Sequence, residues 1–181
     1  RLRDFVENPD TVPENVREIA PTTFTAVPRV WEKFYSSVTI AVSESDKLQQ
    51  AIYRWALGIG YQVSDRVTKG QSVPLWLKAC FYVGRWLALD NVRRMIGIHR
   101  AKVLVTGAAP ISPELVRWYL ALGVPMLEVW GMTETGRFLA NQHEPRQTET
   151  RAFGLAAAPM EVRVVDDRDV DVPEGQEGEM L

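Results

Sequence analysis

The chain has 181 residues, 46% of them apolar and 24% charged. This balance fits one globular domain with a sizeable core and excludes a largely disordered chain. The net charge of −2 gives no reason to expect a nucleic-acid partner, because duplex binding needs several Lys or Arg contacts to phosphate. The single cysteine, Cys80, cannot form an internal disulfide, which favours a reducing, cytoplasmic compartment.

The ends of the chain predict a piece of a longer protein. It opens with Arg1 rather than Met, and it stops at Leu181, where a turn runs into an apparent strand. We expect a single piece with a mostly helical first half, about residues 1–97. A βαβ unit and further strands should follow over about residues 98–181.

The first half contains one short strand and three helices. Residues 22–27 are rich in Thr, Phe and Val and predict a buried strand before Pro28. A helix should follow from Arg29, and a second from Asp46, which is a plausible N-cap. One face of the first helix should consist of Val30, Phe34, Val38 and Ala41. The second should carry one apolar stripe of Leu48, Ile52, Trp55, Ile59, Val63 and Val67.

A third helix should open at Pro74 and bury a broad apolar face. That face is Leu75, Ala79, Val83, Trp86 and Leu87. The apolar run of residues 73–89 is too short and too charged for a membrane span. Its aromatic stripe (Trp76, Phe81, Tyr82 and Trp86) should pack in the core. The alternative is peripheral contact with a bilayer, in which Lys78 and Arg85 reach the headgroups.

The second half predicts an α/β arrangement with a partly parallel sheet. Residues 101–106 form a β-branched run, Ser112 and Pro113 give a strong helix start, and Gly123 ends that helix. A strand over residues 124–129 then completes a βαβ unit. Residues 160–165 predict a half-exposed strand and hairpin, and another turn follows at Pro173.

Two loops of this unit are candidates for chemistry. Ligands on such sheets bind beyond the carboxyl ends of the strands, which selects residues 106–109 and residues 130–134. Small side chains in the first loop would let a ligand approach the backbone. In the second, Trp130 offers a stacking face, Thr133 a hydroxyl for phosphate and Glu134 a carboxylate for Mg²⁺.

Simpler interpretations of the same residues stay open. The Gly-Ala-Ala-Pro run could be only a tight turn, and Thr133 with Glu134 only a helix start. Ser112 lacks the context of a hydrolase nucleophile and is explained as an N-cap. Neither His99 nor His143 has a partner at zinc-ligand spacing.

At these two loops the chain resembles the adenylate-forming superfamily of acyl-CoA synthetases, luciferases and peptide-synthetase adenylation domains. V-T-G-A-A-P is similar to its substrate loop, and W-G-M-T-E to its aromatic-G-x-T-E motif. The segment P-E-N-V-R-E-I-A-P-T-T-F-T-A-V-P-R-V-W-E-K-F-Y is similar to the long-chain fatty acyl-CoA synthetase branch. The resemblance therefore implies a portion of the large N-terminal domain of such an enzyme.

The resemblance implies a two-step reaction with ATP, Mg²⁺ and CoA. A fatty acid and MgATP would give acyl-AMP and pyrophosphate, and the CoA thiol would then displace AMP. Gly107, Ala108 and Ala109 would border the acyl group and adenine. Glu128, Val129 and Trp130, with Gly131 and Met132, would form the adenine edge. Thr133 would contact phosphate and Glu134 would bind Mg²⁺.

Some functional elements of the family pattern are expected outside residues 1–181. The phosphate loop should precede Arg1, and the ribose-binding Asp and catalytic Lys should follow Leu181. We therefore expect this chain alone not to catalyse adenylation. The alternatives are a non-catalytic α/β module that binds a nucleotide or a protein, and an adenylating ligase for aryl or amino acids.

Overall fold

The structure, a computed structural model, describes residues 11–132, 137–141, 155–156 and 163–180. The helices are α1 (Val12–Ile19), α2 (Pro28–Glu44), α3 (Lys47–Thr68), α4 (Leu75–Gly84), α5 (Asp90–Met95) and α6 (Pro113–Ala121). The strands are β1 (Thr23–Ala26), β2 (Val103–Gly107), β3 (Met126–Met132), β4 (Arg137–Asn141), β5 (Leu155–Ala156), β6 (Val164–Val165) and β7 (Glu179–Met180). A π-helical turn, Arg85–Leu89, joins α4 to α5.

The main sheet has the strand order β1-β2-β3-β4-β5. β1, β2 and β3 run parallel, and β4 and β5 continue the sheet antiparallel. Helices α2 to α5 form the long crossover from β1 to β2, and α6 forms the short one from β2 to β3. This α/β fold, a partly parallel sheet with flanking helices, confirms the fold predicted from the sequence.

An aromatic cluster joins α2, α6 and the sheet. Trp31 is fully buried, and its ring makes edge-to-face contacts with Phe24 at 5.2 Å and Tyr119 at 5.4 Å. The Tyr119 hydroxyl donates to the Trp31 carbonyl at 2.9 Å, and burial raises the pKa of Tyr119. Phe34 and Val38 lie in the same core, so the predicted inner face of α2 is confirmed at these two positions.

Helix α3 packs through its smallest residues, not through its large apolar stripe. Its buried positions are Ala56, Gly60 and Ser64. A Cβ on Gly60 would overlap the carbonyl oxygen of Ala121 in α6. The predicted stripe of α3 is therefore wrong as a buried face, and the residues of that stripe that lie exposed are Leu48, Trp55 and Val67.

The predicted burial of the apolar face of the third helix is also wrong, and of its aromatic stripe only Phe81 packs against the core. Leu77 and Gly84 are the buried residues of α4, and a Cβ on Gly84 would already lie 3.1 Å from the Cβ of Ala56. Close approach of α3 and α4 at these small residues leaves the larger side chains on the far side of α4. Exposed there are Leu75, Trp76, Tyr82, Val83, Trp86 and Leu87.

Several local predictions are confirmed. Asp46 caps α3, its carboxylate accepting from the Gln49 amide at 2.9 Å. Gly123, at a φ of 80°, follows the end of α6. The hairpin after Val165 is present, with Asp166 accepting from two backbone amides, and the Gln176 amide closes the turn that starts at Pro173. Residues 160–162 of the predicted strand lie outside the described residues.

Two features of the fold were not predicted from the sequence. The first is α1, which carries Glu14 in its first turn and Arg17 in its last, as the helix dipole favours. The second is the π-helical turn that continues α4 into α5. No helix in the described ranges combines the length and apolar character needed to cross a membrane.

We expect two glycines of α3 to respond oppositely to substitution by alanine. Gly60→Ala should lower the free energy of unfolding by about 1–3 kcal/mol, because the new methyl group overpacks the α3–α6 contact. Gly58→Ala, with open space at its Cβ, should raise it by about 0.5–1 kcal/mol through helix propensity alone. Urea unfolding of the two variants measures both changes, and shifts of the same sign would contradict the packing described.

Candidate functional site

The first predicted loop starts beside strand β3, which leads into the second, at the carboxyl edge of the parallel strands. β2 and β3 are adjacent and in register, with Thr106 opposite Glu128 and Gly107 opposite Val129. The loop that begins at Gly107 therefore starts level with the centre of the β3 segment 128–130. Residues 130–132 of the second predicted loop continue strand β3, whereas residues 133 and 134 lie outside the described residues.

Gly107 lies at the closest approach between the two strands. A Cβ there would lie 2.7 Å from the Val129 carbonyl oxygen and 2.8 Å from its Cγ2. Both distances are too short for ordinary contact, so any larger residue would have to move β3. The glycine is thus required by the geometry of the strand pair itself.

Ala108 adopts a left-handed backbone conformation directly after β2, with a φ of 67°. This conformation is costly for any residue with a Cβ. Such outliers persist where the surrounding structure enforces them, and they cluster at functional sites. Ala108 and Ala109 are both exposed, so the loop offers backbone and methyl groups to whatever binds there.

The β3 side of the site consists of half-buried residues next to a β-bulge. Glu128, Val129, Trp130 and Gly131 are each partly exposed. The register with β4 shifts between Trp130 and Gly131, because Trp130 pairs with Ala140 and Gly131 with Phe138. Bulges re-aim side chains and are common beside active sites.

The remaining predicted site residues are only partly covered. For Met132 the structure gives the backbone, paired with residue 137 at the end of β3. Thr133 and Glu134 lie outside the described residues, as does His143. Within the described ranges, no group of three or more His, Cys, Asp or Glu side chains is arranged to hold a metal ion.

Thr106 is the first residue of the predicted loop 106–109, although no role of its own was predicted for it. Its side chain is buried to 1% exposure, and its Oγ1 has no hydrogen-bond partner among the described residues. A buried hydroxyl without a partner is uncommon and calls for a reason. The available sequence signal was a polar residue at the last buried position of a strand, directly before the glycine.

The start of α6 differs in detail from the predicted cap. Ser112 occupies the N-cap position, but its side chain does not cap a backbone amide. Its hydroxyl donates instead to the Glu114 carboxylate at 2.5 Å, and this bond lowers the pKa of Glu114. The positive end of the helix already has a carboxylate beside it, so it is a poor place for a phosphate.

Substitutions in the first loop should distinguish the close approach of Gly107 to Val129 from the left-handed backbone of Ala108. Gly107→Ala should destabilise the protein by about 1–3 kcal/mol, because the new Cβ overlaps Val129. Ala108→Gly should stabilise it by up to about 1 kcal/mol, since glycine relieves the left-handed strain. Ala109→Gly is the control and should be neutral or destabilising. Thermal unfolding measures all three, and a stabilising Gly107→Ala would contradict this geometry.

Comparison with known proteins extends these observations. The sequence matches the family described as AMP-binding enzyme over residues 2–181. It is 37% identical over 136 residues to the long-chain-fatty-acid–CoA ligase ACSBG2 of Gallus gallus, covering 72% of this chain and 17% of that protein. The chain therefore spans about a sixth of the length of this relative.

Two solved structures share the fold. A long-chain-fatty-acid–CoA ligase of Archaeoglobus fulgidus aligns over 96% of this chain and 26% of its own, with a TM-score of 0.53 and 18% identity. A benzoate CoA ligase of Burkholderia xenovorans LB400 aligns over 94% and 24%, with a TM-score of 0.53 and 15% identity. The family match over nearly the whole chain decides the assignment, and it agrees with the resemblance noted in the sequence: this chain belongs to the family of AMP-binding enzymes.

Proposed function

We propose that this chain is part of an ATP-dependent ligase that joins long-chain fatty acids to CoA. In the first step the fatty acid carboxylate attacks the α-phosphate of ATP, which gives acyl-AMP and releases pyrophosphate. In the second, the CoA thiol attacks the acyl carbonyl and AMP leaves. The chain would contribute one wall of the acyl-adenylate site, and the rest of the parent protein would supply the other groups.

One observation carries this proposal. The loop of small residues after β2 lies directly beside the 128–130 segment of β3, at the carboxyl edge of a parallel sheet. Flat ligands such as a nucleotide base bind at this edge in open α/β sheets. An acyl-adenylate needs adjacent places for a base and an acyl carbonyl, and the two neighbouring loops offer both.

Each predicted residue then has a role at this edge. Gly107, Ala108 and Ala109 would border the acyl group and one face of the adenine. Glu128, Val129 and Trp130 would form the adenine edge, where the half-buried indole can stack on the purine. Gly131 and Met132 would carry the chain past the base, and Thr133 would contact a phosphate oxygen.

Mg²⁺ is part of the proposal through one residue, Glu134. A carboxylate directly after a phosphate-contacting Thr is the donor type that Mg²⁺ takes, with phosphate and water oxygens completing its shell. Bound there, the ion would offset charge on the phosphates. Since Glu134 lies outside the described residues, its role rests on its type and its place after Thr133.

The choice of fatty acids rests on the relatives. The 37%-identical protein of Gallus gallus is named a long-chain-fatty-acid–CoA ligase. The fold shared with a benzoate CoA ligase keeps aryl acids as the alternative substrate, with amino acids beside them. A cytoplasmic site of action is proposed from the single cysteine, Cys80, which is free and half-buried.

Pyrophosphate release by the intact parent protein tests this function. With ATP, Mg²⁺ and acids of increasing chain length, we expect release to peak with long-chain acids. Glu134→Gln should lower the rate by at least about 100-fold, because a charge-stabilising group at the phosphates is lost. Glu174→Gln, at an exposed turn position, is the matched control and should leave the rate unchanged.

Three results would count against the proposal. Undiminished release in Glu134→Gln would remove its proposed role. Release with benzoate or amino acids but not with fatty acids would overturn the substrate class and leave adenylation standing. No release with any acid would favour the non-catalytic binding module.

A further inference from the structure

Helix α4 and the turn after it present an apolar surface that nothing in the described structure covers. We define the α4 face by its exposed residues, Leu75, Trp76, Tyr82, Val83, Trp86 and Leu87. Leu75 is 84% exposed and Trp86 77%. Scattered exposed apolar residues are ordinary, but a contiguous patch with two tryptophans on one helix is typical of an interaction surface.

The chain segment that carries the α4 face contains basic but no acidic residues, and the acidic residue that follows it, Asp90, is paired with Arg85 and Arg93. Residues 66–89 contain no Asp or Glu, whereas Arg66, Lys69, Lys78 and Arg85 are basic. The chain as a whole has a net charge of −2. The positive charge is therefore concentrated on the segment that also carries the apolar face, which suits an anionic partner.

Not every cation in this region is available to a partner. Arg85 donates to the Asp90 carboxylate at 3.1–3.2 Å, and Arg93 donates to the same oxygen at 3.2 Å. Arg93 is buried, and this burial lowers its pKa. Arg85 is thus held in an ion pair with Asp90, and Arg93 is buried, so neither side chain is free for a partner.

Lys78, within α4, and Arg94, in α5, are two cations beside the α4 face. Both are exposed, and neither makes an ion pair within the described residues. Arg94 lines a shallow cleft of about 430 Å³ together with Trp86 and Leu87, and Asp90 and Asn91 complete its lining. An exposed cation thus lines the same cleft as the exposed Trp86.

We propose that the α4 face docks the protein onto a lipid bilayer that carries anionic headgroups. Trp and Tyr prefer the boundary between headgroups and acyl chains, and the leucines and valine would enter the acyl region. Lys78 and Arg94 would contact lipid phosphates, and the absence of acidic residues over 66–89 avoids repulsion from an anionic surface. The helix would lie along the membrane rather than cross it, and this inference goes beyond the proposed function.

The same charges argue against a second copy of the chain as the occupant. In a two-fold symmetric dimer built on this face, the same patch of both copies forms the interface, so Lys78 and Arg94 of each copy would be brought into one interface. Like charges brought together in an interface disfavour it. An anionic lipid surface carries the complementary charge.

Vesicle co-sedimentation of the intact parent protein, without ATP or fatty acid, tests the docking. We expect binding to phosphatidylcholine vesicles that contain roughly one-third phosphatidylglycerol, and weaker binding to pure phosphatidylcholine or at high salt. Trp86→Ser and Leu75→Ser should each lower the partition coefficient by about tenfold or more. Lys78→Glu should lower binding to the anionic vesicles only.

Leu48→Ser is the matched control. Leu48 is also an exposed leucine in the first turn of a helix, at 69% exposure. It belongs to α3 and is not one of the residues that define the α4 face. Its substitution should leave vesicle binding unchanged.

Other outcomes would contradict the proposal or assign the α4 face to another partner. Equal vesicle binding by all variants, or no binding by the parent protein, would overturn the proposal. Loss of folding in Trp86→Ser but not in Leu48→Ser would show that another part of the protein covers the face. A dimer in vesicle-free solution that dissociates in Trp86→Ser would assign the face to a second copy. Because binding is read without substrates, none of these results depends on the ligase activity.

Discussion

The hydrogen bond from the Tyr119 hydroxyl to the Trp31 carbonyl connects the helices to the site. The indole of Trp31 donates in turn to the carbonyl of Ala26, at the end of β1. Ala26 pairs with Thr106, which pairs with Glu128. This buried chain of contacts runs from α6 through α2 to the carboxyl ends of three parallel strands. It keeps the loop after β2 level with residues 128–130 of β3.

Close packing of α3 against α4 explains why the exposed surface of α4 is so apolar. Helix α3 meets α6 at Gly60 and meets α4 where Ala56 faces Gly84, so small residues occupy the interface on both sides. Backbones this close leave no room for the larger side chains of α4. Trp76, Tyr82 and Trp86 therefore lie outside, where they form the α4 face. The same geometry that stabilises the fold produces the proposed docking surface.

Sequence reasoning succeeded where a local signal decides the structure. Ser112 and Pro113 marked the start of α6, Asp46 the start of α3, and the order of strands and helices predicted the parallel sheet. It failed on which helix faces are buried, because apolar periodicity favours large residues whereas α3 packs through Gly60. The left-handed backbone of Ala108 had no signal, since alanine normally avoids that conformation. The role of Glu134 remains a prediction.

The most direct test is the structure of the intact parent protein bound to a non-hydrolysable acyl-adenylate analogue with a long acyl chain. We expect the adenine to lie against residues 128–130 and the acyl carbonyl to lie beside Gly107, Ala108 and Ala109. An adenylate that contacts neither loop would contradict the proposed site.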